Sequence, residues 1–203
     1  MQESFKTLTD EFRVETDKVK GSRFLGIAAP VRDEEAAKEF LLRARKEHHD
    51  ARHHCSAWRL GIDGKQFRSS DDGEPSGSAG KPILAMIEGR DLSNVVVIVV
   101  RWFGGTKLGV GGLVRAYGQA AAEALDGAPQ ETVTLCRQFT FRHSYELSGP
   151  VQGLLNEYPF APQNAQYGAE VQFDLEIPLP LCERFQADFV ERTAGRGVIT
   201  ERP

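Results

Sequence analysis

The sequence predicts an α+β protein of two domains, and three observations carry that expectation. An apolar, mostly β-branched run, Val95 to Val100, leads into a glycine-rich loop and then an amphipathic helix. The composition changes after Gly127. Beyond that point the elements follow one another in the order β-α-β-β-α-β.

The stretch from Asn94 to Asp126 organises the first domain. Val95 to Val100 is too short for a buried helix and suits a strand covered on both faces. Its burial should contribute roughly 1.5–3 kcal/mol per side chain as an upper bound. This strand is expected at the domain's centre. Gly104 to Gly112 carries five glycines and can turn sharply or approach another surface closely. From Leu113 the spacing is helical, with Leu113, Tyr117, Ala120, Ala121, Ala124 and Leu125 on one face, and Asp126-Gly127 stops the helix. A glycine loop before a helix can hold phosphate, because the helix N-terminus offers free N–H groups. The known spacings are absent. Gly109 and Gly111 begin a dinucleotide fingerprint, but its third glycine falls on Val114. A P-loop around Gly80-Lys81 fails at Pro75 and Pro82. The alternatives are a tight packing loop and a specific anion or RNA-backbone contact.

In chain order, Glu11 to Lys20 and Arg23 to Val31 read as a hairpin turning at Lys20-Gly21-Ser22. Asp33 is a plausible N-cap for a helix burying Ala36, Ala37, Phe40, Leu41 and Ala44 and ending near His48. Ala51 to Asp63 is a strand that returns through Asp63-Gly64 into Lys65 to Ser69. Ser70 to Ala85 is a polar loop running into a helix that ends near Gly89. Thr132 to Cys136 either finishes the first domain as a strand or begins a linker. Gln138 to Tyr145 is a strand. Ser148 caps a short helix to Tyr158, and Asn164 to Gly168 is the weak second strand. Ala169 to Pro178 alternates cleanly. Leu181 to Thr193 is a helix burying Phe185, Phe189 and Val190, and Gly197 to Glu201 is the last strand. That order is the ferredoxin-like pattern. The domains expected are residues 1–136 and 137–203.

The 203 residues carry a net charge of −4, so no broad basic field is available to hold nucleic acid non-specifically. Three widely spaced cysteines without C-x-x-C indicate neither zinc site nor disulfide framework, and point to a reducing cytoplasm. No stretch approaches a membrane span, and Met1 to Asp10 lacks an apolar signal core.

Several clusters could carry chemistry. His53 and Cys55 face one side of their strand and His54 and Ser56 the other, so they cannot all ligate one metal. A Cys/His nucleophile pair would need facing groups from elsewhere. Asp71, Asp72 and Glu74 form an acidic loop. It is either a hard-cation site or a turn that caps the following helix and pairs with Lys81 or Arg101. Arg101-Trp102-Phe103 is an arginine beside aromatics, a set used on single-stranded nucleic acid and at protein interfaces. Its bland alternative is one core aromatic and an Arg101 paired with the acidic loop.

Together these segments resemble the bacterial YigZ proteins of the IMPACT family. The carrying residues are Ser22-Arg23-Phe24, Ala51 to Cys55, Ser70 to Pro75, Ala79 to Pro82, Val100 to Gly105 and Leu108 to Tyr117. Trp102-Phe103 replaces a familiar Tyr pair, and Thr106-Lys107 falls in a variable spot. The resemblance implies a first domain similar to domain IV of elongation factor G and to the second domain of a small-subunit ribosomal protein. It implies a second domain of ferredoxin-like form. Eukaryotic members look like translational regulators that bind the activator of a starvation kinase, and that region of partner contact is not carried over.

The leading expectation is a cytoplasmic, non-enzymatic regulator near translation, with RNA, the ribosome or a translation-control protein as partner and no membrane association. The alternatives are an enzyme acting on a phosphorylated or nucleotide ligand and a protein-interaction module. The residues expected to contact a ligand or nucleic acid are Arg52, His53, Asp71, Asp72, Glu74, Lys81, Arg101, Trp102, Phe103, Gly104, Gly105, Lys107 and Arg115. No catalytic residue, metal ligand or cofactor is assigned.

Overall fold

The computed structural model describes residues 2–202, with mixed α and β structure, three sheets and five α-helices among them. The chain divides into two compact units, residues 2–133 and the remainder from Thr134.

The first unit is built on a five-stranded antiparallel sheet. Its strands are β2 (Phe12–Glu15), β3 (Arg23–Pro30), β4 (His53–Leu60), β5 (Gln66–Ser70) and β6 (Val95–Trp102), in the spatial order β2-β3-β6-β4-β5. The apolar run is therefore central, as its lack of alternation requires. Val95, Val97 and Val99 pack on one side, under α2 (Gly80–Glu88) and α3 (Val110–Gly127). Val96, Ile98 and Val100 pack on the other, under α1 (Glu34–Glu47). Helices on both faces make an antiparallel strand read like a parallel one. Asp33 caps α1 by accepting from Ala36 N at 2.8 Å. The expected face of α3 is buried, but the helix starts at Val110, inside the glycine loop, rather than at Leu113.

One strand was not expected, and the strand reading of Thr132 to Cys136 holds with earlier bounds. The polar N-terminal segment forms β1 (Ser4–Leu8), which pairs with β7 (Gln130–Thr134) in a small separate sheet. The hairpin arm expected over Glu11 to Lys20 is a continuous strand only over β2, and an antiparallel bridge between Val19 and Ser22 closes the expected turn. Within it Lys20 and Gly21 turn through positive φ, at 46° and 82°.

The second unit contains β8 (Cys136–Ser144), α4 (Ser148–Leu155), β9 (Gln163–Tyr167), β10 (Glu170–Pro178), α5 (Leu179–Arg192) and β11 (Val198–Glu201). Its sheet runs β11-β8-β10-β9 with antiparallel neighbours. Phe141 lies at the centre of an aromatic core with Phe173, Phe185 and Phe189. Two side chains depart from expectation. Ser148 does not cap α4. A 3-10 turn over Tyr145–Leu147 leads directly into the helix, and the Ser148 hydroxyl is buried without a hydrogen-bond partner. Val190 is 47% exposed, because Phe185 and Phe189 already fill the inner face of α5. No helix among the described residues is long and apolar enough to cross a membrane.

Each unit has its own core. Fragments 1–133 and 134–203, expressed separately, should each show cooperative thermal unfolding by circular dichroism. A second fragment with no transition, or a first fragment that is unfolded, would mean that the units do not fold independently.

Candidate ligand pocket at the glycine loop

The site begins with alternation along β6. Even-numbered residues point to the α1 side, so Trp102 lies there. Its indole N–H donates to Asp50 Oδ2 at 2.9 Å, and the Arg23 guanidinium sits 4.7 Å from its ring. Arg101 points to the opposite side. It is only 4% exposed, and it donates to Glu74 Oε1 at 2.5 Å and to the Ser22 hydroxyl at 3.2 Å. The Glu74 side chain is 5% exposed and also accepts from the Tyr117 hydroxyl at 2.7 Å. Arg101 is thus a buried, neutralised cation rather than a surface contact. Of the two readings the sequence offered for Arg101, the one found is its pairing with the acidic loop.

The three carboxylates of the acidic loop diverge. Asp71 turns under the start of α2 and accepts from the backbone N–H groups of Gly77, Ala79 and Gly80 at 2.7–3.0 Å. Burial opposes its charge, but these three bonds outweigh it and hold its carboxyl below the usual range. Asp72 pairs with Arg45 on α1 and accepts from His54 N at 2.6 Å. Glu74 goes inward to Arg101. By these bonds the loop is a cap and a clamp. Lys81, on the first turn of α2, is exposed beside Asp71.

Cys55 and His53 share a face, as strand geometry requires. The Cys55 thiol is fully buried, donates to the Asp71 carbonyl at 3.0 Å and is pushed up by burial to about 12. It stays protonated and does not serve as a nucleophile. His53 Nδ1 lies 2.8 Å from the Asp72 carbonyl oxygen, so it carries the proton and donates. Nε2 is then left 3.8 Å from Glu74 Oε1.

Above this buried layer lies a pocket of about 470 Å³. Arg52, His53, Glu74, Arg101, Phe103 and Lys107 line it, together with Pro75, Leu108, Gly109, Val110 and Leu113. Six residues from the sequence-based set therefore converge. Asp71, Asp72, Lys81, Trp102, Gly104, Gly105 and Arg115 do not line it. Arg115 is exposed further along α3 and reaches back towards Gly111. Arg52 and Lys107 are exposed, and neither makes a salt bridge among the described residues. Phe103 is 43% exposed.

The glycine loop does two different things. A Cβ on Gly104 would lie 1.9 Å from the Gly21 carbonyl carbon, and Gly104 N donates to the Ser22 hydroxyl at 3.2 Å. That half of the loop packs tightly. Gly109, at φ 74°, has open space around it and begins α3 with no side-chain cap. Gly109 and Val110 line the pocket, and the first N–H groups of α3 have no intrahelical partner.

Comparison with known proteins decides the family. The Impact N-terminal domain matches residues 20–125, and a domain of unknown function, DUF1949, matches residues 142–196. The IMPACT family member YigZ of Escherichia coli K12 is 37% identical over 88% of this chain and 89% of its own length. The chain belongs to the IMPACT family. A crystal structure titled as a hypothetical protein is 34% identical with a TM-score of 0.69, covering 100% of this chain and 99% of that one. The protein IMPACT homolog of Saccharomyces cerevisiae is 41% identical over 44% of this chain and 36% of its own length. The Impact N-terminal match contains every residue that lines the pocket.

Removing one partner of a buried pair strands the other charge. Glu74→Ala should therefore destabilise this IMPACT-family chain by about 3–5 kcal/mol in chemical denaturation. Glu74→Leu combined with Arg101→Met should cost clearly less than the sum of the two single changes. A Glu74→Ala loss below about 1 kcal/mol, the scale of an exposed pair, would contradict the buried ion pair.

Proposed function

We propose that this chain is a cytoplasmic, non-enzymatic regulator acting near translation, and that it contacts RNA or the ribosome at the pocket beside the glycine loop. One observation carries the reading. Two cations without salt bridges among the described residues, Arg52 and Lys107, line the pocket with the exposed Phe103 and the uncapped start of α3. Cations and free N–H groups suit phosphate, and an exposed ring suits a base. The local charge answers the net charge of −4, since binding by an acidic protein must come from a confined patch.

Membership of the IMPACT family and the yeast relative named an IMPACT homolog support a role in translation. We take the first unit as similar to domain IV of elongation factor G and the second as ferredoxin-like. The β-α-β-β-α-β order and the strand order of the second unit support the latter. The enzyme alternative has lost most of its carboxylates, because Asp71 and Asp72 are engaged as a cap and a clamp and Glu74 holds Arg101 and Tyr117.

RNA binding measured by fluorescence anisotropy across a salt series tests this. Arg52→Ala and Lys107→Ala should each lower the slope of log affinity against log salt by about 1. Lys81→Ala, which removes an exposed cation outside the pocket, should leave the slope unchanged. No binding at low salt, or the same slope for all four proteins, would overturn the reading.

A further inference from the structure

The pocket is more selective than a groove along an RNA backbone. Resting on the nucleic-acid reading above, we infer that it takes a nucleotide bearing a terminal phosphate monoester, with the base against Phe103. Arg101 and Glu74 cancel one another, so Arg52 and Lys107 leave the pocket with two uncompensated positive charges. A phosphate monoester carries close to two negative charges and three strong acceptor oxygens, whereas an internal phosphodiester carries one charge. The donors match the former. They are Arg52, Lys107 and the uncapped first N–H groups of α3, beside a Gly109 that leaves the backbone open.

A second observation is independent of the helix terminus. Arg101 lines the pocket and is more than nine-tenths buried, yet its Nε has no hydrogen-bond partner. A buried charged donor left unpaired is costly; the Nε is itself covered, so an acceptor in the pocket reaches it only with a small movement of the guanidinium. The walls complete the fit. Phe103, Pro75, Leu108, Val110 and Leu113 supply apolar lining suited to a base, and Arg52 and Lys107 supply positive charge. The volume of about 470 Å³ lies within the range of small-ligand sites. It is a place for one nucleotide rather than for a run of them.

The same chemistry is presented by a free nucleoside monophosphate and by a phosphorylated RNA end. One experiment separates these sources and also separates the inference from the reading beneath it. Short 3′-labelled RNAs with a 5′-phosphate or a 5′-hydroxyl are titrated with the full chain by anisotropy. Nucleoside 5′-monophosphate and the unphosphorylated nucleoside are then tested as competitors and, by calorimetry, as direct ligands. The 5′-phosphorylated RNA should bind roughly tenfold tighter than its hydroxyl counterpart, the scale of a charged hydrogen bond. The monophosphate and not the nucleoside should compete. Arg52→Ala and Lys107→Ala, both exposed side chains, should erase most of the preference, with folding checked by circular dichroism. Binding of the monophosphate alone, with no RNA bound, keeps the inference with a free nucleotide as ligand and overturns the RNA reading. Equal affinity for the two RNAs, weakened equally by the two variants, overturns the inference and leaves the RNA reading standing. No binding of either RNA or of the monophosphate overturns both.

Discussion

The buried pair between Arg101 and Glu74 is the constraint on which the first unit's functional end depends. Through one guanidinium, the last turn of the central strand is tied to the acidic loop and to Ser22 in the β2–β3 connection. Ser22 in turn holds Gly104 at the start of the glycine loop, and Glu74 holds Tyr117 on α3. Ser22, Glu74, the stretch from Arg101 to Gly104, and Tyr117 meet at this cluster. Burying both ions costs several kcal/mol each, and that cost is offset only when the geometry is good and further hydrogen bonds are made. Ser22 and Tyr117 supply those bonds. The same pairing silences a cation that would otherwise dominate the pocket, so the electrostatics at the mouth fall to Arg52 and Lys107.

The acidic loop follows the same logic. It resembles a cation site in composition, but its carboxylates each settle a different local demand. Asp71 answers the free N–H groups at the start of α2. Asp72, at φ 44°, turns the chain and clamps β4 to α1. Glu74 answers Arg101. Three like charges close in sequence each end up with their own compensating donor. This suits the loop to be the rigid rim of a pocket.

How much was legible follows from the range of each signal. The β6 run, the Asp33 cap and the inward face of α3 are written in local periodicity, and the structure has them where the pattern put them. The convergence of Arg52, Glu74, Arg101 and Lys107 needed the register of β4 against β6, which sequence alternation does not supply. His53 lies opposite Arg101 in that register, and this places Arg52 at the rim. The pairing of β1 with β7 joins two short polar segments more than a hundred residues apart, and neither has an apolar pattern to announce it. Ser148 and Val190 went astray for a smaller reason. Each has the residue type for its expected role, but a neighbouring turn or two phenylalanines had already filled that role.

On the proposed function, the open half of the glycine loop and the start of α3 receive a phosphate while the packed half holds the pocket in shape. Backbone amide shifts in a two-dimensional NMR titration with nucleoside 5′-monophosphate test this most directly, because the claim concerns particular N–H groups. The amides of Lys107, Gly109, Val110, Gly111 and Gly112 should move together and saturate at one ligand concentration, with Asp71-capped amides at Ala79 and Gly80 unchanged. Shifts confined to residues beyond Thr134, or none at any amide from 103 to 113, would contradict it.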